Sequence, residues 1–201
     1  VHLCASEGYS ETLIDWVAAG QLEAALVNVP RQRLLLEATP VLEEEMVLVR
    51  RKGGPAIPPK LGLAHLGTHD LVLPSKRHGL RTILEGFAAA QGLDLKPRLE
   101  LDNIPALCEV VATTDFVTIL PSIAVHKDII AGRVEAHRFA NPAITRSVAL
   151  VQHPRRPLSP AGRAVLEVIR RDLQDAAKAA SALIQPAAPT RTARRKRPRA
   201  T

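Results

Sequence analysis

The chain has 201 residues and is 46% hydrophobic, enough for one domain or two small lobes with a substantial core. Its aromatic residues are Tyr9, Trp16, Phe87, Phe116 and Phe139, so the core is aliphatic and a base-stacking surface for single-stranded nucleic acid is excluded. The formal net charge is +7, but Arg191, Arg194, Arg195, Lys196, Arg197 and Arg199 carry six of those charges, which excludes a strongly basic folded face.

In chain order, 10–20 reads as a helix. Ser10 can cap it, Glu11 suits its positive end, Leu13, Ile14, Trp16 and Val17 form one apolar stripe, and Gly20 can end it. Apolar runs at 22–29 and 45–50 are expected as strands, before a loop marked by Gly53-Gly54-Pro55 and Pro58-Pro59. A short strand at 71–73 leads to Ser75, which is expected to open a helix. Leu80, Ile83, Leu84, Phe87 and Ala88 recur there at helical spacing, and Gly92 marks the stop. A strand at 98–101, a cap at Asp102 or Asn103 and a short helix through Ile104, Leu107, Val110 and Val111 come next. A buried strand at 116–120 is stopped by Pro121, and two more strands are expected at 134–139 and 145–151. Ser159-Pro160 then starts a long helix carrying Leu166, Ile169, Leu173 and Ala177 on one face. The stretch 186–201, rich in Pro, Ala and Arg, is expected to be a disordered basic tail able to touch DNA phosphates without reading sequence.

Helices alternating with short apolar strands predict parallel βαβ units, hence an α/β fold of two Rossmann-like lobes with a cleft between them. The expected division is 1–70 plus 145–185 for lobe one and 71–144 for lobe two, joined by two crossover segments. Lobe one begins close to a strand at 1–4 without an opening strand–helix pair, so it reads as incomplete at its N-terminus. No apolar run approaches the roughly 18 residues of a membrane span and no secretion signal is visible, so a cytoplasmic protein with no membrane partner is expected.

Little in the sequence supports chemistry. Two cysteines, Cys4 and Cys108, cannot make a disulfide framework or a four-ligand zinc site, and both read as small buried hydrophobes. His65 and His69 have metal-gripping spacing only on a helix, which Gly67 opposes. The run Gly8-Tyr9-Ser10-Glu11-Thr12 misses the nucleophile-elbow pattern at its last position. No metal, no cofactor, no catalytic residue and no enzymatic activity are therefore expected.

The remaining motifs form a set. Glu7-Gly8-Tyr9-Ser10, Trp16 and Ala19-Gly20-Gln21-Leu22-Glu23-Ala24-Ala25-Leu26 are followed by the EEEMVLV run at 43–49. Leu73-Pro74-Ser75 with His78-Gly79-Leu80-Arg81, and Val117-Thr118-Ile119-Leu120-Pro121, continue it. In that order they resemble the C-terminal effector-binding (substrate-binding) domain of LysR-type transcriptional regulators, over 1 to about 175. The resemblance implies a fold similar to periplasmic binding proteins of type 2. It also implies a small-molecule effector in the inter-lobe cleft, a homo-oligomer, and promoter DNA contacted only through a winged helix-turn-helix that this sequence does not carry.

By the same resemblance Ser10, Ser75 and the strand end at Asn28 line the effector pocket; His78, on the first turn of the helix expected from Ser75, and Thr118 are further ligand-binding candidates. Helix starts at Ser10 and Ser75 would offer free N–H groups and a positive dipole to a small anionic effector, although capping alone also explains a serine there. Arg146, on the return crossover, could pair with an acid of the other lobe. Thr113-Thr114-Asp115-Phe116 replaces a glycine-rich turn of the family and is expected to bring bulk and charge near the cleft. The alternative reading from the same cleft is a solute-binding protein of a transport system.

Overall fold

The computed structural model describes residues 2–29, 35–140 and 142–184. The chain enters through residues 2–9, which have no regular secondary structure, so the strand expected at 1–4 is not formed over 2–4. The first helix, α1 (Ser10–Ala19), buries Leu13 and Val17 and stops at Gly20, whose φ of 78° is a left-handed turn that glycine takes without strain. Strand β1 (Ala24–Asn28) follows, then the long β2 (Glu37–Arg51) and a 3₁₀ turn (Leu63–Thr68). Next come β3 (Val72–Leu73), α2 (Gly79–Ala89), β4 (Leu99–Glu100) and α3 (Ile104–Thr113). The chain finishes through β5 (Thr118–Pro121), α4 (Ser122–Ile130), β6 (Val134–Arg138), β7 (Ile144–Gln152) and α5 (Pro160–Leu183).

Strand β2 organises both lobes. Fifteen residues of strand span about 50 Å at ~3.3 Å each, too long for one small sheet. Its first part pairs antiparallel with β7, from Glu37↔Gln152 to Met46↔Ile144, with a bulge between Pro40 and Leu42. Proline cannot donate to a ladder, which is why the irregularity falls there. The last part lies between β5 (Val47↔Leu120) and β6 (Val47↔Arg138). Strands β6 and β7 therefore run one after the other back along β2, and β1 completes lobe one by pairing with β7.

This corrects the expectation of parallel units throughout. Among the described residues parallel pairing is confined to lobe two, where β3 pairs with β4 and Leu71 bridges Val117. The sheet of lobe one, β1-β7-β2, is antiparallel, because β2 leaves the lobe and β7 returns to it in opposite directions, with β1 added at the edge of β7.

Two cores result. The smaller gathers Leu13, Val17, Ala25, Val27 and Val151 between α1 and the sheet of lobe one. The larger holds Leu73, Leu84, Leu107, Val111, Ile119 and Leu120, and also draws in Met46–Val49, Leu61, Leu63 and Leu66. Those last residues fall within the 1–70 segment that sequence reasoning gave to lobe one. Ile184 joins the same larger core, because α5 runs on from lobe one and packs its far end on α4. Arg138 anchors that end through its bond to the Ser181 carbonyl at 2.8 Å. The basic stretch 186–201 lies outside the described residues.

Candidate functional site

A hollow of ≈ 270 Å³ opens between the lobes. Its floor is one face of the lobe-one sheet, where Asn28, Val148 and Leu42 stand in register across β1, β7 and β2. Tyr9 and Ser10 at the start of α1 form one wall, and His78 and Gly79 at the start of α2 form the other. Ile123 and Leu173 close it with aliphatic surface, and Arg146 reaches in along β7. Among the described residues, no aspartate or glutamate lines this space.

The polar groups are tied to one another. The Arg146 Nε donates to Glu44 Oε1 at 2.6 Å, its Nη2 bonds the same carboxylate, and Nη1 donates to Asn28 Oδ1 at 3.1 Å. Glu44 is only 4% exposed, and its Oε2 has no hydrogen-bond partner among the described residues. The Ser10 hydroxyl accepts from the Asn28 N–H at 3.3 Å, and no side chain caps α1. Gly79 matters for a steric reason. A Cβ there would stand 3.0 Å from Asn28 Nδ2 and 3.6 Å from Ser10 Oγ, so its bare backbone lets α2 of lobe two sit against lobe one.

His78 is the N-cap of α2, its Nδ1 accepting from the Leu80 N–H at 3.2 Å, and its ring meets Tyr9 edge-on with centroids 6.0 Å apart. Burial pushes the imidazole pKa below its usual value, Asp102 opposes this, and Arg146 adds to it. A proton on Nδ1 would also abolish the cap, so the neutral ring carries its proton on Nε2. The native state thus binds a proton less readily than the unfolded chain. Its stabilising contribution is complete above the ordinary histidine pKa near ~6.5 and is lost as pH falls through the lower folded value. His78→Asn, which keeps a capping acceptor, should flatten the fall in stability between pH 7 and 5 in urea titrations, though His69 and His137, also lowered chiefly by burial, retain their share.

Asp102 lies just beyond the hollow and joins the lobes. Tyr9 donates its hydroxyl to Oδ2 at 2.7 Å, while Ser75 donates its N–H to Oδ1 at 2.7 Å and its hydroxyl to Oδ2 at 3.0 Å. The Tyr9 bond is the main reason this carboxyl stays below the usual range. A second hollow, ≈ 340 Å³, sits under α5 and is larger, but it is lined mainly by Leu26, Val41, Leu150, Leu158 and Leu166. Arg163, Glu167 and Arg170 stand at that hollow as well, but the inter-lobe space is the one into which polar groups of both lobes, Ser10, Asn28, His78 and Arg146, converge.

Comparison with known proteins decides the family: residues 1–174 match the LysR substrate binding domain. The chain belongs to that family. Among curated relatives it is 24% identical over 169 residues to the hydrogen peroxide-inducible genes activator of Dickeya chrysanthemi, covering 84% of this chain and 55% of that protein. It is 28% identical over 137 residues to the HTH-type transcriptional regulator CzcR of Bacillus anthracis, covering 68% and 46%. The chain thus spans about half the length of these relatives. Among solved structures it resembles OxyR of Corynebacterium glutamicum, with a TM-score of 0.71, 16% identity, and 89% of this chain and 57% of that one covered. The effector-binding domain of QuiR in complex with shikimate gives a TM-score of 0.67 at 17% identity, covering 89% and 81%. The fold is therefore that of LysR effector-binding domains, similar to periplasmic binding proteins of type 2. The match favours the regulatory reading over the transport alternative.

Within this LysR domain the five candidate residues separate. Ser10, Asn28 and His78 line the inter-lobe hollow. Ser75 neither lines it nor starts α2: a turn closed by the His78 N–H on the Ser75 carbonyl at 3.0 Å intervenes, and His78 takes the cap. Thr118 is fully buried in β5 opposite Val49, its Oγ1 without a partner among the described residues, and it does not reach the hollow. Arg146 pairs with Glu44 on the neighbouring strand rather than with an acid of the other lobe. The 113–116 turn is also remote from the site, since Asp115 turns to Arg51 at 2.8 Å and Phe116 packs on the larger core. Cys4 is exposed, against the expectation of burial, whereas Cys108 is buried and burial pushes its thiol pKa up to about 11. Among the described residues no cluster of three or more His, Cys, Asp or Glu could hold a metal, and no helix is long and apolar enough to cross a membrane.

Proposed function

We propose that this chain is the ligand-sensing part of a LysR-type transcription regulator and that it takes a small anionic effector in the inter-lobe hollow. The reading rests on the lining: a guanidinium, a serine hydroxyl, an asparagine and an uncapped helix start, with no carboxylate facing the space. Such a set gives an anion hydrogen-bond donors and a favourable dipole, with the Arg146 charge shared between the hollow and Glu44 behind it. Its volume equals about nine water molecules at ~30 Å³ each, which suits a compact acid rather than a polymer. QuiR in complex with shikimate and the CcmR regulatory domain in complex with 2-PG show small acids held by the same fold.

The effector acts by binding two lobe arrangements with different affinity, and the longer regulator converts that difference into promoter contact. No chemical step is involved, in keeping with relatives that are named as regulators. A peroxide-sensing role, which some relatives' names suggest, gains nothing from Cys108, because a buried thiol held near pKa 11 supplies little thiolate at neutral pH.

Thermal denaturation against a panel of small carboxylates and phosphates tests the reading, with shikimate and 2-phosphoglycolate included. An anion present at a hundred times its Kd stabilises the native state by about 2.7 kcal/mol. Asn28→Leu, which replaces the polar group of the floor, should remove the gain. A panel without a single stabilising anion, or gains unchanged in Asn28→Leu, would overturn the assignment.

A further inference from the structure

We propose that Tyr9, Asp102 and Ser75 form a clasp that holds the lobes shut and so sets effector affinity, an inference that rests on the effector reading above. Tyr9 stands on lobe one immediately before α1, whereas Asp102 and Ser75 stand on lobe two, in the loops after β4 and β3. Tyr9 and Asp102 are 93 residues apart in the chain, and their hydrogen bond joins the two lobes.

The three bonds to Asp102 divide by origin. Both bonds from Ser75 come from the same lobe, so they aim the carboxylate whether the lobes are open or shut. The third, from the Tyr9 hydroxyl at 2.7 Å, crosses between the lobes, so it is the one that opening would break. A carboxylate already oriented by its own lobe gains a charge-assisted bond with little further ordering. The closing contacts cluster around it: Gly79 lies on Asn28 and Ser10, and His78 lies edge-on to Tyr9.

Asp102 and Ser75 do not line the hollow, so they act by position rather than by touching the effector. An effector that needs the closed form binds with an apparent Kd equal to the intrinsic one divided by the closed fraction. Loss of one charge-assisted bond lowers the closed-to-open ratio about tenfold, so binding weakens by the factor by which the closed fraction falls, up to about tenfold.

Spin labels at exposed positions on each lobe read closure directly. Asp15→Cys on α1 and Lys96→Cys before β4 serve in a Cys4→Ser background, where Cys108 stays buried and unlabelled. The parent should give one short inter-label distance without ligand. Tyr9→Phe, which removes a single hydroxyl and keeps the fold, and Asp102→Ala should both shift it to longer distances. Ser75→Ala should shift it less, since its N–H remains.

Titration with shikimate and 2-phosphoglycolate should give Kd values in Tyr9→Phe and Asp102→Ala raised by the factor by which the closed fraction falls, up to about tenfold. Distances unchanged in both variants would overturn the clasp, and so would longer distances with unchanged Kd. Either result leaves the effector reading intact if the anions still bind the parent. Conversely, opening in both variants with no anion bound by the parent would retain the latch and end the effector reading.

Discussion

Replacing Arg146 alone with methionine is expected to destabilise the domain by about 3–5 kcal/mol, because it strands the Glu44 carboxylate in the sheet. The guanidinium supplies that group's hydrogen bonds, and the residue is 4% exposed with one oxygen already lacking a partner among the described residues. For a domain of this size such a loss lowers the melting temperature by about 6–20 °C. The paired replacement Glu44→Leu with Arg146→Met should recover most of the loss, since a buried ion pair can be exchanged for apolar packing at little net cost. That double variant separates two roles. It should melt near the parent yet fail to gain stability from small anions, because the cation facing the hollow is gone. Arg146→Met melting with the parent would show that Glu44 is not desolvated, and the site's electrostatics would need another description.

The second large effect is expected at Arg81, a buried arginine with 2% exposure. Its Nε donates to Glu85 at 3.0 Å, and its Nη1 donates to the Pro74 carbonyl and to Glu100, each at 3.0 Å. One side chain thus ties α2 to the loop after β3 and to β4. Arg81→Ala removes packing along the stem and leaves the Pro74 carbonyl without this donor, which should cost about 2–4 kcal/mol in denaturant titration. Arg81→Lys should recover less than half, because an ammonium cannot reproduce the planar fork. The effect reaches the site. Pro74 precedes Ser75 and Glu100 lies two residues before Asp102, so a loosened Arg81 should also disturb the carboxylate that meets Tyr9. An Arg81→Ala domain as stable as the parent would mean that the two glutamates, both substantially exposed, already turn to water.

Legibility in the sequence follows the range of the interactions involved. Where a signal is local, reading and structure coincide. Gly20 ends α1, Asn103 caps α3 through Ala106 N–H at 2.8 Å, and Ser159 caps α5 through Gly162 N–H at 3.0 Å. Where a local signal competes with a second one, the reading slips. Ser75 and His78 both suit a helix start, and only the turn between them assigns the cap to His78. Pro121 looks like a stop, yet it is the N-cap residue of α4, whose His126, Lys127 and Asp128 hide its apolar face from a periodicity count.

The order and type of most elements, the aliphatic character of the cores and the family pattern were present in the sequence itself, because capping, glycine turns and apolar spacing act over a few residues. Tertiary structure alone decided how far β2 extends, that α5 packs on α4 of the other lobe, that Asp102 meets Tyr9, and that Thr118 turns away from the hollow. The physical reason is common to these. Each depends on a partner tens of residues away, as with the β7 ladder that holds Glu37–Thr39 in a strand despite Pro40. No short window of sequence contains both halves of such an interaction.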